Sequence, residues 1–264
     1  MDIKLSNEQE NFIEKALSGS NILVDACIGS GKTLSIQHLC QLVPKDKTVL
    51  YLTYNRLLKI DAKSKIHEKN VTVTNYHGFA YKMLKNVNIT CGKTDLIQMF
   101  NRELPPVPVY DILVIDEYQD IDTELSDMLN NIKTANPGIQ LIAVGDMNQK
   151  IYDKTTLDVK RFIDSFLGDY IRLKFTKCFR LNKEHAAMLG RVWNKKIDGV
   201  NSSCEVVRMS ISEAKEFISQ QPLGDVLCLG SRTGKMADLL NELENEYHEK
   251  FNKKNRLCQH FRYR

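Results

Sequence analysis

Apolar residues along the chain fall into short blocks separated by stretches of helical periodicity. Blocks rich in β-branched and aliphatic residues lie at 22–26, 49–53, 71–74, 112–116, 140–145, 171–175 and 226–230. Several are apolar at consecutive positions, which suits strands covered on both faces. Between them, 9–17, 33–42 and 186–195 place apolar residues on one helical stripe. Such alternation predicts an α/β fold: a parallel sheet with helices on both faces and ligands at the carboxyl ends of the strands. The polar stretch 86–108 ends in Pro105-Pro106-Val107-Pro108 and reads as an extended linker.

Composition narrows this little. The 264 residues are 42% hydrophobic and 27% charged, as expected of a globular chain. No apolar run reaches the roughly 18–20 residues that span a bilayer. The polar opening after Met1 gives no expectation of a secretory leader. Seven cysteines without a C-x-x-C pair argue against a zinc site or a disulfide framework, so a reducing cytoplasmic compartment is expected, with a nuclear or viral-host setting equally compatible. The net charge of +4 permits a polyanionic partner without requiring one. Lys250 to Arg264 carries six basic and no acidic residues, a pattern that fits a solvated tail or an anionic contact.

The chemistry concentrates after the strands. Ala26-Cys27-Ile28-Gly29-Ser30-Gly31-Lys32-Thr33 follows the first strand and opens a helix. This is a Walker A loop with Ala in place of the first Gly. Its glycines let successive N–H groups face phosphate oxygens, and the helix N-terminus adds positive potential. Lys32 is then expected to reach the β- and γ-phosphates of ATP, and the Thr33 hydroxyl to meet Mg2+. The block 112–116 ends in Asp116 and Glu117. Asp116 would serve the metal's hydration shell and Glu117 the attacking water.

Taken together these motifs resemble the UvrD/Rep/PcrA type of superfamily 1A DNA helicase. Leu5-Ser6-Asn7-Glu8-Gln9 resembles the family's Q motif, which implies that Gln9 reads adenine. Asp116-Glu117-Tyr118-Gln119-Asp120 matches the D-E-x-Q-D signature, and Val144 to Tyr152 resembles motif III, with Gln149 sensing the γ-phosphate. Thr176 to Arg180 resembles motif IV, which implies that Phe179 stacks on adenine and Arg180 touches phosphate. Tyr54, Asn55 and Arg56, then His77 and Phe79, and finally Tyr152 stand where the family contacts single-stranded DNA. Tyr54 and Phe79 could equally pack helices.

The resemblance implies a P-loop NTPase with a RecA-like domain over 1–180, a small insertion near 82–108, and a partial second RecA-like domain over 181–264. It implies an ATP hydrolase moving 3′ to 5′ on single-stranded DNA, with no membrane partner. Where the family continues motif III with aromatic and F-R-G-A-like residues, this chain reads Asp153-Lys154-Thr155-Thr156. No motif V and no motif VI arginine is found. A second reading is therefore an ATP- and DNA-binding module that does not unwind unaided, the rest of the second domain coming from a longer product or a partner chain. A P-loop kinase is excluded by the tandem D-E-Y-Q-D and G-D-x-x-Q elements, and a GTPase by the lack of N-K-x-D.

Overall fold

The computed structural model describes residues 4–54, 56–92, 94–150, 156–205, 207–221 and 234–246. These fall into two compact units, divided after Cys204.

In the first unit six parallel strands are β1 (Ile22–Ala26), β2 (Val49–Thr53), β3 (Val71–Asn75), β4 (Ile112–Asp116), β5 (Gln140–Gly145) and β6 (Ile171–Phe175). Their order is β3-β2-β4-β5-β1-β6. Helices α1 (Asn7–Leu17), α2 (Lys32–Leu42), α3 (Arg56–Lys65), α4 (Tyr76–Asn86), α5 (Leu96–Glu103), α6 (Thr123–Ala135), α7 (Val159–Leu167) and α8 (Lys183–Trp193) complete it. A parallel pair, β7 (Lys177–Cys178) and β8 (Asp198–Gly199), closes the chain back onto the sheet's end.

The two-residue period of the strands divides the core into two layers. Leu50, Leu52, Leu113, Ile115, Leu141 and Ala143 face one layer, shared with α4 to α7. Val49, Tyr51, Ile112, Val114, Ile142 and Val144 face the other, shared with α1 and α2. Every residue of β2, β4 and β5 is buried, whereas edge strand β6 exposes Arg172 and Lys174. Charge on an edge discourages pairing with another sheet.

The fold is thus the RecA-like parallel sheet expected. The linker expected over 86–108 contains α5 instead: Leu96, Ile97 and Phe100 form one buried stripe against the α4 and α6 layer. The remainder of that stretch, after Leu104, has no regular structure. Position 180 lies inside the first unit, because β7, α8 and β8 stay with the sheet: Asp198 donates its N–H to Thr176 O at 2.8 Å, and Lys195 reaches β1.

The second unit contributes α9 (Ile211–Ser219), started by a Ser210–Glu213 capping box, and α10 (Lys235–Glu246). Lys215 joins them through Glu242 and Glu246 at 2.7 and 2.6 Å. The block 226–230 lies outside the described residues. No described helix is long and apolar enough to cross a membrane.

Candidate functional site

The loop between β1 and α2 is shaped by two glycines in the left-handed region, Gly29 at φ +65° and Gly31 at φ +78°. A side chain at either position would be strained, and would collide with Arg180 Cγ at 2.8 Å or with Gln9 Nε2 at 2.6 Å. Gly31 is the N-cap of α2 and supplies no side-chain acceptor, so the helix's first N–H groups are left facing the loop. Ala26 and Cys27 are buried, and Ile28 packs against the Cys27–Cys178 cluster. Ser30 is buried with its hydroxyl unpartnered.

Facing this loop, β4 delivers two carboxylates. Asp116 is fully buried; its Oδ2 accepts hydrogen bonds from Tyr51 Oη at 2.9 Å and Thr33 Oγ1 at 3.4 Å. Its Oδ1 has no partner. Burial and the neighbouring Glu117 hold the Asp116 carboxyl well above the usual carboxylate range, against the lowering hydrogen bond from Tyr51. Glu117 adopts φ +56°, a left-handed conformation rare outside glycine and strained by roughly 1–3 kcal/mol. This bend turns its carboxylate back to within 3.6 Å of the buried Lys32 ammonium. Gln119 Nε2 donates to the same Glu117 oxygen at 2.8 Å.

Gln119 also links the carboxylates to the end of β5. Its Oε1 accepts from Asp146 N at 3.0 Å, and Asp146 Oδ2 accepts from Gln149 Nε2 at 2.7 Å. The stretches 116–120 and 144–149 therefore form one hydrogen-bonded assembly beside the glycine loop.

Gln9 sits under the loop. Its Oε1 caps Ser6 N at 2.8 Å, its Nε2 donates to Ser30 O at 3.2 Å, and it is 2% exposed. One lone pair of the amide oxygen and one donor of the amide nitrogen are thus used within the protein. On the far side, Phe179 N donates to Gly29 O at 2.9 Å, so the segment 176–180 is bound to the loop. Phe179 is 42% exposed and Arg180 is exposed, leaving both side chains accessible beside the glycine loop.

Of the positions expected to meet nucleic acid, Tyr54 is half-buried against the α4 layer, and Arg56 and His77 are exposed near the carboxyl ends of β2 and β3. Phe79 corrects the expectation: it is 1% exposed and packs on Phe100 and Tyr110, with ring centroids 6.0 and 6.4 Å away. It follows Tyr76 by one helical turn, so it shares that residue's buried stripe of α4. Asn55 and Tyr152 lie outside the described residues.

The structure adds residues that sequence reading missed. Glu8 binds the start of motif IV, accepting from Thr176 Oγ1 at 2.6 Å and Thr176 N at 2.8 Å. Its position just before Gln9 was the only available signal. Tyr51 reads as an ordinary strand aromatic, and its tie to Asp116 arises only through the β2–β4 pairing. Lys195 donates to Asp25, Ala26 O and Asp146.

The residues fit a nucleotide and a magnesium ion. The helix N-terminus and Lys32 supply positive potential for phosphate, while the unpartnered Ser30 hydroxyl and Asp116 Oδ1 are buried polar atoms that need a partner. Thr33 and Asp116 offer the hard oxygen donors Mg2+ takes alongside water and phosphate.

Residues 9–155 match the family model described as an AAA domain. No curated protein matches the chain. Among solved structures, the chain is similar to a Pif1 helicase from Candida albicans, with 22% identity, 73% of this chain and 43% of that chain covered, and a TM-score of 0.46. It is similar to a Pif1 helicase from Bacteroides in complex with ADP-AlF3 and ssDNA, with 15% identity, coverages of 94% and 58%, and a TM-score of 0.48. It is also similar to arterivirus nonstructural protein 10, a helicase in complex with DNA, with 15% identity, coverages of 75% and 45%, and a TM-score of 0.44. This chain spans about half the length of these proteins, between 43% and 58%.

Proposed function

The chain belongs to the AAA domain family, and within it we propose an ATP-hydrolysing motor of the superfamily 1 helicase type that acts on single-stranded DNA. The observation that carries the proposal is the convergence of Lys32, Thr33, Asp116 and Glu117. Thr33 Oγ1 lies 3.4 Å from Asp116, and Lys32 Nζ lies 3.6 Å from Glu117.

In this reading the loop 26–33 wraps the phosphates with its backbone N–H groups, and Lys32 leaves Glu117 to pair with the β- and γ-phosphates. Thr33 and Asp116 would hold Mg2+, which would neutralise phosphate charge when bound. Glu117, freed from Lys32 but still held by Gln119, accepts a proton from the attacking water. Gln149 contacts the γ-phosphate from the Asp146 side, Arg180 meets phosphate from the motif IV side, and Phe179 stacks on the base. Gln9 supports the glycine loop through Ser30 O. Tyr54, Arg56 and His77 form the strand-facing surface, with Asn55 and Tyr152 belonging to the same proposal. The finer assignment, a UvrD-like motor moving 3′ to 5′, rests on the resemblance of the motifs. In the same proposal a RecA-like nucleotide domain is followed by part of a second.

Binding of ATP across a magnesium titration tests the site. Thr33→Ala should demand roughly tenfold more Mg2+ for half-saturation, the scale of losing one supporting ligand contact. An unchanged magnesium requirement would remove Thr33 from the metal site.

A further inference from the structure

Lys195 is a largely buried cation whose contacts cross between separate elements. Its side chain is 15% exposed, and its Nζ donates to Asp25 Oδ1 at 2.7 Å, Ala26 O at 2.7 Å and Asp146 Oδ1 at 2.9 Å. All three donor positions of the ammonium are used. The partners come from the ends of two strands: Asp25 and Ala26 end β1 and lead into the glycine loop, and Asp146 follows β5 and orients Gln149.

The backbone that carries Lys195 is built to hold still. Asn194 ends α8 in the left-handed conformation at φ +47°, and Lys195 N donates to Gly190 O at 2.9 Å. Two residues on, Ile197 is buried with Cys27 and Cys178, and Asp198 pairs with Lys177 across β7–β8. A flexible lysine is thereby delivered to one place. Burial alone would lower its pKa, but its hydrogen bonds to Asp25 and Asp146 outweigh that and raise it, so it stays cationic.

Asp146 is wholly buried, and a buried carboxylate that loses its cation is left uncompensated. It is also the hub of the site. Its Oδ2 holds Gln149, its Oδ1 takes Asn148 N at 3.1 Å as well as Lys195, and its own N–H binds the Gln119 that restrains Glu117. We infer that Lys195 is a positioning residue for hydrolysis, holding Asp146 so that Gln149 and Glu117 are aimed together at the γ-phosphate. The segment after α8, which matches none of the motifs, then becomes part of the hydrolytic apparatus. This rests on the ATPase reading above.

The test compares variants of the full chain by single-turnover phosphate release and by equilibrium titration with MgATP and MgADP. Lys195→Met should slow phosphate release about tenfold or more, the scale of a misplaced reacting geometry, while MgADP affinity changes less than about threefold. Lys195→Arg, which keeps the charge and two or more donors, should recover a large part of the rate. Lys196→Met removes a charge one residue away, from a side chain that is 74% exposed, and should behave as the parent. Adding Gln149→Ala to Lys195→Met should cost far less than Gln149→Ala costs alone, because both act through Asp146. Should Lys195→Met not fold, Lys195→Gln carries the same expectation. A folded Lys195→Met or Lys195→Gln protein that hydrolyses at the parental rate overturns the inference, as does a loss that Lys196→Met reproduces. Failure of the underlying reading looks different: phosphate release by the parent that survives Lys32→Ala removes the ATPase assignment itself, and the role of Lys195 falls with it.

Discussion

Lys32 Nζ lies 3.6 Å from Glu117 Oε2, with both side chains largely withdrawn from solvent. The cation proposed to face phosphate and the carboxylate proposed to activate water thus lie within reach of each other. In the proposed mechanism, exchange of Glu117 for phosphate would free the carboxylate. Glu117→Gln should therefore keep MgATP affinity, or raise it by releasing Lys32, while phosphate release falls by roughly 10²-fold or more, as for removal of a general base. Lys32→Ala should weaken binding and turnover together. Hydrolysis by Glu117→Gln at the parental rate would show that another group is the base.

Asp116 links stability to pH. Its native carboxyl stays above the usual carboxylate range because it is buried beside Glu117. The native protein therefore holds a proton that the unfolded chain has already released, and stability falls as pH rises from the unfolded value towards the native one. Asp116→Asn should melt higher than the parent near pH 8 without Mg2+, by roughly 2–4 °C for each kcal/mol recovered. The gain should shrink as the solution is acidified, and turnover should be lost. Melting profiles across pH decide this. A variant less stable than the parent throughout would mean that Asp116 stabilises the fold as an anion.

Phe79 and Arg56 separate packing from binding. Phe79→Ala should destabilise the fold by about 3–5 kcal/mol, the usual cost of emptying a buried aromatic site. Arg56→Ala should leave melting unchanged, weaken single-stranded DNA binding, and reduce its salt slope by about 1. If Phe79→Ala melts as the parent does but loses DNA, the ring leaves its core position to meet a base.

In the proposed site Gln9 serves the glycine loop and Phe179 the base. Gln9 bonds Ser30 O and the α1 cap, so Gln9→Ala should weaken ATP and GTP to a similar degree. Phe179 is exposed at the loop's edge, and Phe179→Ala should cost adenine nucleotides roughly 1–3 kcal/mol, the scale of one stacked base. Titration with both nucleotides reads the two effects. A Gln9→Ala loss confined to ATP would restore the adenine-reading role.

How far the site could be read from sequence depended on whether its parts are local. The glycine loop and the Asp116–Glu117 pair each follow an apolar block, so their place at the sheet's carboxyl edge was legible from pattern alone. Helix α5 was not, because Leu96, Ile97 and Phe100 are diluted by polar neighbours and only the facing α4 and α6 reveal a buried stripe. Phe79 reads as either a DNA contact or helix packing, and the helical period from Tyr76 buries it. Lys195 lies 49 positions from Asp146 and far beyond any motif, and its role appears only once β7 and β8 bring the end of α8 back to β1.

The most direct measurement is single-turnover release of phosphate from MgATP by the purified chain, with and without a single-stranded oligonucleotide. Lys32→Ala and Glu117→Gln are measured alongside. The expected result is slow, magnesium-dependent release by the parent, faster with the oligonucleotide, absent in Lys32→Ala, and at least about 10²-fold slower in Glu117→Gln. Glu117→Gln should still bind MgATP. Release by the parent no faster than by Glu117→Gln, or equal MgATP binding by parent and Lys32→Ala, would contradict the assignment of this site to ATP hydrolysis.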